Sequence, residues 1–129
     1  MKLQVYITGL ILILLVSCTK SSSEHYTSVQ WNMNRVEGDT TCKIDQTIIL
    51  TVYYPTSSSC DIFDRFENTT QDHFFSYKAY GHTETSKFCT EAAIEKSVKV
   101  KFIPISAGSY ELRFINKDNS YFTHTITVN

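Results

Sequence analysis

The chain has 129 residues, of which 42% are hydrophobic, 13% aromatic and 19% charged, with a formal net charge of −1. That balance is too apolar for a disordered polymer and too near neutral to hold nucleic acid or an anionic membrane by charge. The length suits one domain and excludes the large catalytic folds such as the (β/α)8 barrel.

At the N-terminus, Lys2 precedes an apolar run from Val5 to Val16, broken only by Tyr6, Thr8 and Gly9, that ends in Leu15-Val16-Ser17-Cys18. About 12 apolar residues make ~18 Å of helix against a hydrocarbon core of ~30 Å, so residues 1–17 read as a cleaved signal segment and not a permanent span. The ending resembles the lipobox of bacterial lipoproteins. That resemblance implies that the Cys18 thiol is acylated, becomes the first residue of the mature protein and anchors it to a membrane. Residues 18–25 continue as the lipidated cysteine and a polar tether, in which Thr19 to His25 span at most ~25 Å. Thr19 after the cysteine resembles outer-membrane sorting, so the expected location is the bacterial cell envelope, lipid-anchored at the outer membrane.

From Tyr26 to Asn129 the apolar residues recur with period two and no long helical period is sustained, which predicts one all-β domain over 26–129. Val29, Trp31 and Met33 alternate with polar residues, as do Ile48, Leu50, Val52 and Tyr54 with Ile49, Thr51 and Tyr53. Residues 60–67 form a less regular third candidate and residues 73–82 a fourth. Val98, Val100 and Phe102 lead through Pro104-Ile-Ser-Ala-Gly108 to Tyr110, Leu112 and Phe114, a pattern that predicts a hairpin with Phe102 opposite Tyr110 and Val100 opposite Leu112. Asn116 to Ser120 is a turn by composition, followed by a strand with Phe122, His124, Ile126 and Val128 on one face. Thr90 to Lys96 has room for one helical turn. About seven strands with short turns predict an antiparallel sandwich.

The stretch Phe102-Ile-Pro-Ile-Ser-Ala-Gly108-Ser-Tyr110-Glu-Leu112-Arg-Phe114 resembles the penultimate hairpin of immunoglobulin-like domains, where Gly-x-Tyr follows a Pro-containing turn. With the lipobox and the cysteines at 60 and 89, the chain resembles small Ig-like lipoproteins of Gram-negative gut anaerobes. The resemblance implies an Ig-like β-sandwich and carries no activity to transfer. The antibody-type Cys…Trp…Cys order is absent, because Trp31 precedes every cysteine of the body.

Beyond Cys18 three cysteines remain, in a compartment where a disulfide is expected. If successive strands alternate in direction, the loop with Cys42 lies at one end of the sandwich and the loops with Cys60 and Cys89 at the other. The nine-residue strand from Gln46 to Tyr54 separates Cys42 from Cys60 by about 30 Å, whereas a bridge needs Cα atoms within roughly 7 Å. Cys60–Cys89 is therefore the expected bridge and Cys42 the thiol left free or paired between molecules. His25, His73, His82 and His124 lack metal-ligand spacing, and Asp61, Asp64 and Glu67 have no glycine among them to turn a calcium loop, so no metal or cofactor is expected.

Asp39-Thr40-Thr41 resembles the short acceptor motif for O-glycans on envelope proteins of some gut anaerobes, with Thr40 as the acceptor. The adjacent pairs Tyr53-Tyr54, Phe74-Phe75 and Tyr121-Phe122 each send one ring away from the core if their strands are regular, which offers an apolar or sugar-stacking surface. No Gly-rich phosphate loop, metal pair or nucleophile–base arrangement is visible. The expected function is non-enzymatic binding of an envelope protein or glycan, with a peptidase inhibitor as the alternative. Strand parity places the 36–45, 68–72 and 104–108 loops at the end away from the tether, with Asp39, Thr41 and Ile105 as partner contacts and Ile105 as the apolar anchor.

Overall fold

The computed structural model describes residues 26–85 and 88–129; the signal segment, Cys18 and the tether lie outside the described residues. The described chain is all-β and forms nine strands, with no helix among the described residues: β1 (Val29–Trp31), β2 (Arg35–Glu37), β3 (Thr41–Cys42), β4 (Ile48–Ser58), β5 (Asp61–Gln71), β6 (Phe74–Thr83), β7 (Glu91–Phe102), β8 (Gly108–Ile115) and β9 (Tyr121–Val128). They make two sheets. The larger runs β1-β6-β8-β9-β3 with β5 on the other edge of β6, and the smaller runs β2-β4-β7.

Alternation builds both inner faces. On β4, Ile48, Leu50, Val52, Tyr54 and Thr56 are buried while the residues between them are exposed or half-buried. On β8, Tyr110, Leu112 and Phe114 are buried in the same rhythm. The two faces meet in one core in which Leu50, Val52, Val100 and Phe102 oppose Tyr77, Tyr110, Leu112, Phe114 and Ile126. Each adjacent aromatic pair splits as alternation requires. Tyr54 is buried, and Phe75 and Phe122 pack against the core, whereas Phe74 and Tyr121 are exposed and Tyr53 lies under the Arg35 guanidinium at 3.6 Å.

Four expectations are corrected. The segment read as a hairpin is not one, because β7 pairs with β4 and β8 pairs with β6 and β9. Residues 103–107 cross between sheets, and Phe102 meets Tyr110 across the core with ring centroids 5.3 Å apart. Matching apolar phases on consecutive strands fit either arrangement, so alternation alone does not separate a ladder from a face-to-face contact. Thr90 to Lys96 is not helical but opens β7, paired with β4 through Glu95↔Pro55 and Ile94↔Thr56.

The ladders are not all antiparallel either, since β3 runs parallel to β9 and β6 parallel to β8, which departs from the purely antiparallel sheets of an immunoglobulin sandwich. Finally, residues 36–45 are not one end loop. They hold β2 and β3, with Gly38 to Thr40 stepping from the smaller sheet to the larger along the flank. Likewise residues 68–71 belong to β5, and the turn to β6 is Asp72-His73, with Asp72 in the left-handed region at φ 52°.

Strand direction nevertheless sorts the ends as parity requires. The Asp45 amide donates to the Pro104 carbonyl at 2.9 Å and the Glu111 amide to the His73 carbonyl at 2.9 Å, so the reversals at 43–47, 72–73 and 103–107 share one end, the far end. At the opposite end Cys60 and Cys89 form a disulfide with Cα atoms 5.4 Å apart, while Cys42 is a free, buried cysteine. Tyr26 enters at this bridge end, its ring stacked on His82 at 4.5 Å.

Candidate functional site

Crossing from β7 to β8 costs the chain its ladder partners, and a side chain replaces them. Tyr110, fully buried, reaches back to Ser106: its hydroxyl donates to the Ser106 carbonyl at 3.1 Å, accepts from the Ser106 amide at 3.2 Å and lies 2.9 Å from Ser106 Oγ. This is the geometry of a tyrosine corner, in which a tyrosine opening a strand ties down the inter-sheet connection before it. Ser106 Oγ also lies 3.0 Å from His73 Nε2, within hydrogen-bond distance. His73 also lies against the Tyr110 ring, with centroids 4.3 Å apart. Gly108 has φ 133°, and a Cβ there would stand 3.1 Å from His73 Cε1, so both backbone conformation and space call for glycine.

These contacts fix the walls of a cleft of about 470 Å³ at the far end, between the Asp72-His73 turn and the 103–107 crossing. Phe75, Ile103, Ile105 and Tyr110 line it with apolar surface, and His73, Ser106 and Asp72 supply the polar atoms. Ile105 is 83% exposed and Ile103 45% exposed. Buried pairing holds the cleft floor while its rim stays apolar and open, an arrangement that suits binding.

A second concavity of about 570 Å³ lies on the outer face of the larger sheet, along Thr69, Ser76 and Arg113. Register puts Gln71, Phe74 and Glu111 in one cross-strand row, and Thr69, Ser76, Arg113 and Thr123 in the next. The Arg113 guanidinium sits between the exposed rings of Phe74 and Tyr121, at 5.4 and 5.3 Å, and pairs with Glu111 at 2.5 Å. Hydroxyls, an amide and flat rings on one surface match the chemistry of a sugar.

The remaining residues singled out by sequence fall elsewhere. Asp39, Thr40 and Thr41 are exposed on the flank beside β9, where the Thr40 carbonyl accepts from the Thr127 amide at 2.8 Å and the Asp39 carbonyl lies 3.1 Å from His124 Nε2. Burial raises the Cys42 thiol above its ordinary range, with the Asp39 charge adding to the effect, so the thiolate is disfavoured.

Asp61, Asp64 and Glu67 do not converge. Asp61 caps the β4–β5 turn, accepting from the Ser57 and Ser58 amides at 2.8 and 3.0 Å and from Thr83 Oγ1 at 2.5 Å. Asp64 pairs with His82 at 2.6 Å, and Glu67 with Arg65 at 2.9 Å. Burial alone would raise the Asp61 carboxyl, but the bonds from Thr83, Ser57 and Ser58 outweigh it and hold it below the usual carboxylate range.

No protein-family model, curated protein or solved structure matches the chain.

Proposed function

We propose that the chain is a non-enzymatic, lipid-anchored Ig-like module of the bacterial cell envelope, tethered through Cys18 at the outer membrane and binding an envelope protein through the far-end cleft. The observation that carries this reading is the pair Ile103 and Ile105, exposed beside a 470 Å³ cleft at the end opposite Tyr26. An isoleucine in a turn gains nothing from water, and a partner that covers it gains about 25 cal/mol for each Å² of apolar surface removed from solvent. The tyrosine corner supports the Ig-like part of the reading.

A second reading, glycan binding on the outer face of the larger sheet, is favoured by the Phe74–Arg113–Tyr121 arrangement. Tagged chain purified from membranes separates the two. Ile105→Asp is expected to remove the co-purifying protein without changing thermal stability, whereas Phe74→Ala leaves it bound. Loss of envelope polysaccharide with Phe74→Ala, and no effect of Ile105→Asp, would transfer the function to the sheet face. A peptidase as the lost protein would make the module an inhibitor. Thr40, exposed on the flank, is the proposed O-glycan acceptor, to be read as a mass shift lost with Thr40→Ala.

A further inference from the structure

The smaller sheet ends at β7, a strand of 12 residues that pairs only with β4 among the described residues. Its other edge carries no backbone partner there. The Ile94 carbonyl accepts from Thr56 Oγ1 at 2.8 Å and so points toward β4. In an antiparallel ladder the direction alternates, which turns the N–H and C=O groups of Glu95, Ser97, Lys99 and Lys101 outward. Such an edge is a template for another strand. On the larger sheet the free edge, β5, is bent by a bulge between Phe63 and Arg65, a device that blunts pairing. The β4–β7 ladder has its own irregularity before Ile94, opposite Thr56 to Ser58, but from Ile94 to Phe102 β7 keeps an unbroken register.

The side chains on that edge have a pattern. On the solvent face, Glu95 lies in the first half of β7 and Lys99 and Lys101 in the second, all exposed. Neither lysine has an ion-pair partner among the described residues, while Glu95 shares Arg35 at 3.0 Å. A strand that is acidic then basic complements itself only when turned around.

We propose that β7 is a self-association edge, on which a second copy of this chain pairs antiparallel about Ser97 and joins two three-stranded sheets into one of six strands. In that register Glu95 stands opposite Lys99 of the second copy, twice by symmetry. Lys101 lies diagonal to Glu95 of the second copy. On the inner side the exposed Ile94 meets Val100 of the second copy. Parallel pairing would set glutamates on glutamates and lysines on lysines, and an antiparallel register centred on Lys96 would oppose two lysines. The two-fold consumes both β7 edges, so it closes at a dimer. The far-end cleft stays free, and the dimer stands whether or not the binding reading does.

The test uses the full-length chain in its native membrane. Ser97→Cys is expected to give a disulfide-linked dimer on a non-reducing gel, absent from wild type and from Asn68→Cys on the β5 edge. In detergent, sedimentation velocity is expected to show a concentration-dependent dimer that Lys99→Glu weakens about tenfold in Kd. Mixing Lys99→Glu with Glu95→Lys copies restores it, because each charge then faces its opposite. Trp31 fluorescence on unfolding checks that each variant folds. Cross-linking at position 97 no stronger than at 68, a monomer at every concentration, or no restoration on mixing would each overturn the proposal.

Discussion

Tyr110→Phe removes a single oxygen and tests whether the corner holds the crossing. The ring contacts with Phe102, Phe75 and His73, at 5.3, 6.1 and 4.3 Å, are kept, so the loss is confined to the three bonds with Ser106 at 2.9, 3.1 and 3.2 Å. Each is worth roughly 0.5–1.5 kcal/mol net, and Ser106 is only half-buried, so water recovers part of it. The expected cost is about 2 kcal/mol, near 30-fold in the folding equilibrium. Urea unfolding followed by Trp31, the single tryptophan of the chain, measures it. In a Ser106→Ala background the same substitution is expected to cost less, because one of the three bonds is already gone. A loss below about 0.5 kcal/mol, or the same loss in both backgrounds, would show that the hydroxyl does not brace the crossing.

The Cys60–Cys89 bridge closes a loop of 29 residues, so reducing it is expected to cost about 3.6 kcal/mol in the chain-entropy model; an unchanged urea midpoint would refute this. At Gly81 a Cβ would stand 2.4 Å from the Trp31 ring and 2.6 Å from the Ile62 carbonyl, so Gly81→Ala is expected to cost about 3 kcal/mol and to shift Trp31 emission, and a neutral substitution would show that β1 is not seated there. The depressed Asp61 carboxyl contributes stability that is present above its unfolded value near 3.9 and lost as pH falls through the lower folded value. The stability gap between wild type and Asp61→Asn is therefore expected to shrink on acidification below about pH 4, and a widening gap would reverse the sign.

Period-two alternation made the long strands legible, because burial of Leu50, Val52, Leu112 and Phe114 is decided by which face each occupies. The disulfide was legible too, since strand parity is a global constraint that survives errors of pairing. Partner choice was not legible. Phe102 and Tyr110 carry the same apolar signal whether they sit side by side in a sheet or face each other across a core, and only the Tyr110–Ser106 bonds identify the corner. Gly108-Ser-Tyr110 with a hydroxyl residue four places before the tyrosine was the available sign. The short strands β2 and β3 escaped because two or three residues are too few to show a period, which left Asp39 and Thr41 assigned to an end loop instead of the flank. His73 escaped as a site residue because its partner Ser106 is 33 positions away. Ile105 reads correctly as exposed, for a turn offers it no inner face.

Binding at the far-end cleft is tested most directly by site-specific photo-cross-linking in living cells, with a photoreactive residue placed at Ile105 or, as the control, at the exposed Ile62 near the bridge. The expected result is one discrete protein adduct from position 105, absent from position 62 and lost when Ile103→Asp is added. Adducts from position 62 alone, equal labelling from both positions, or no adduct from 105 would contradict it.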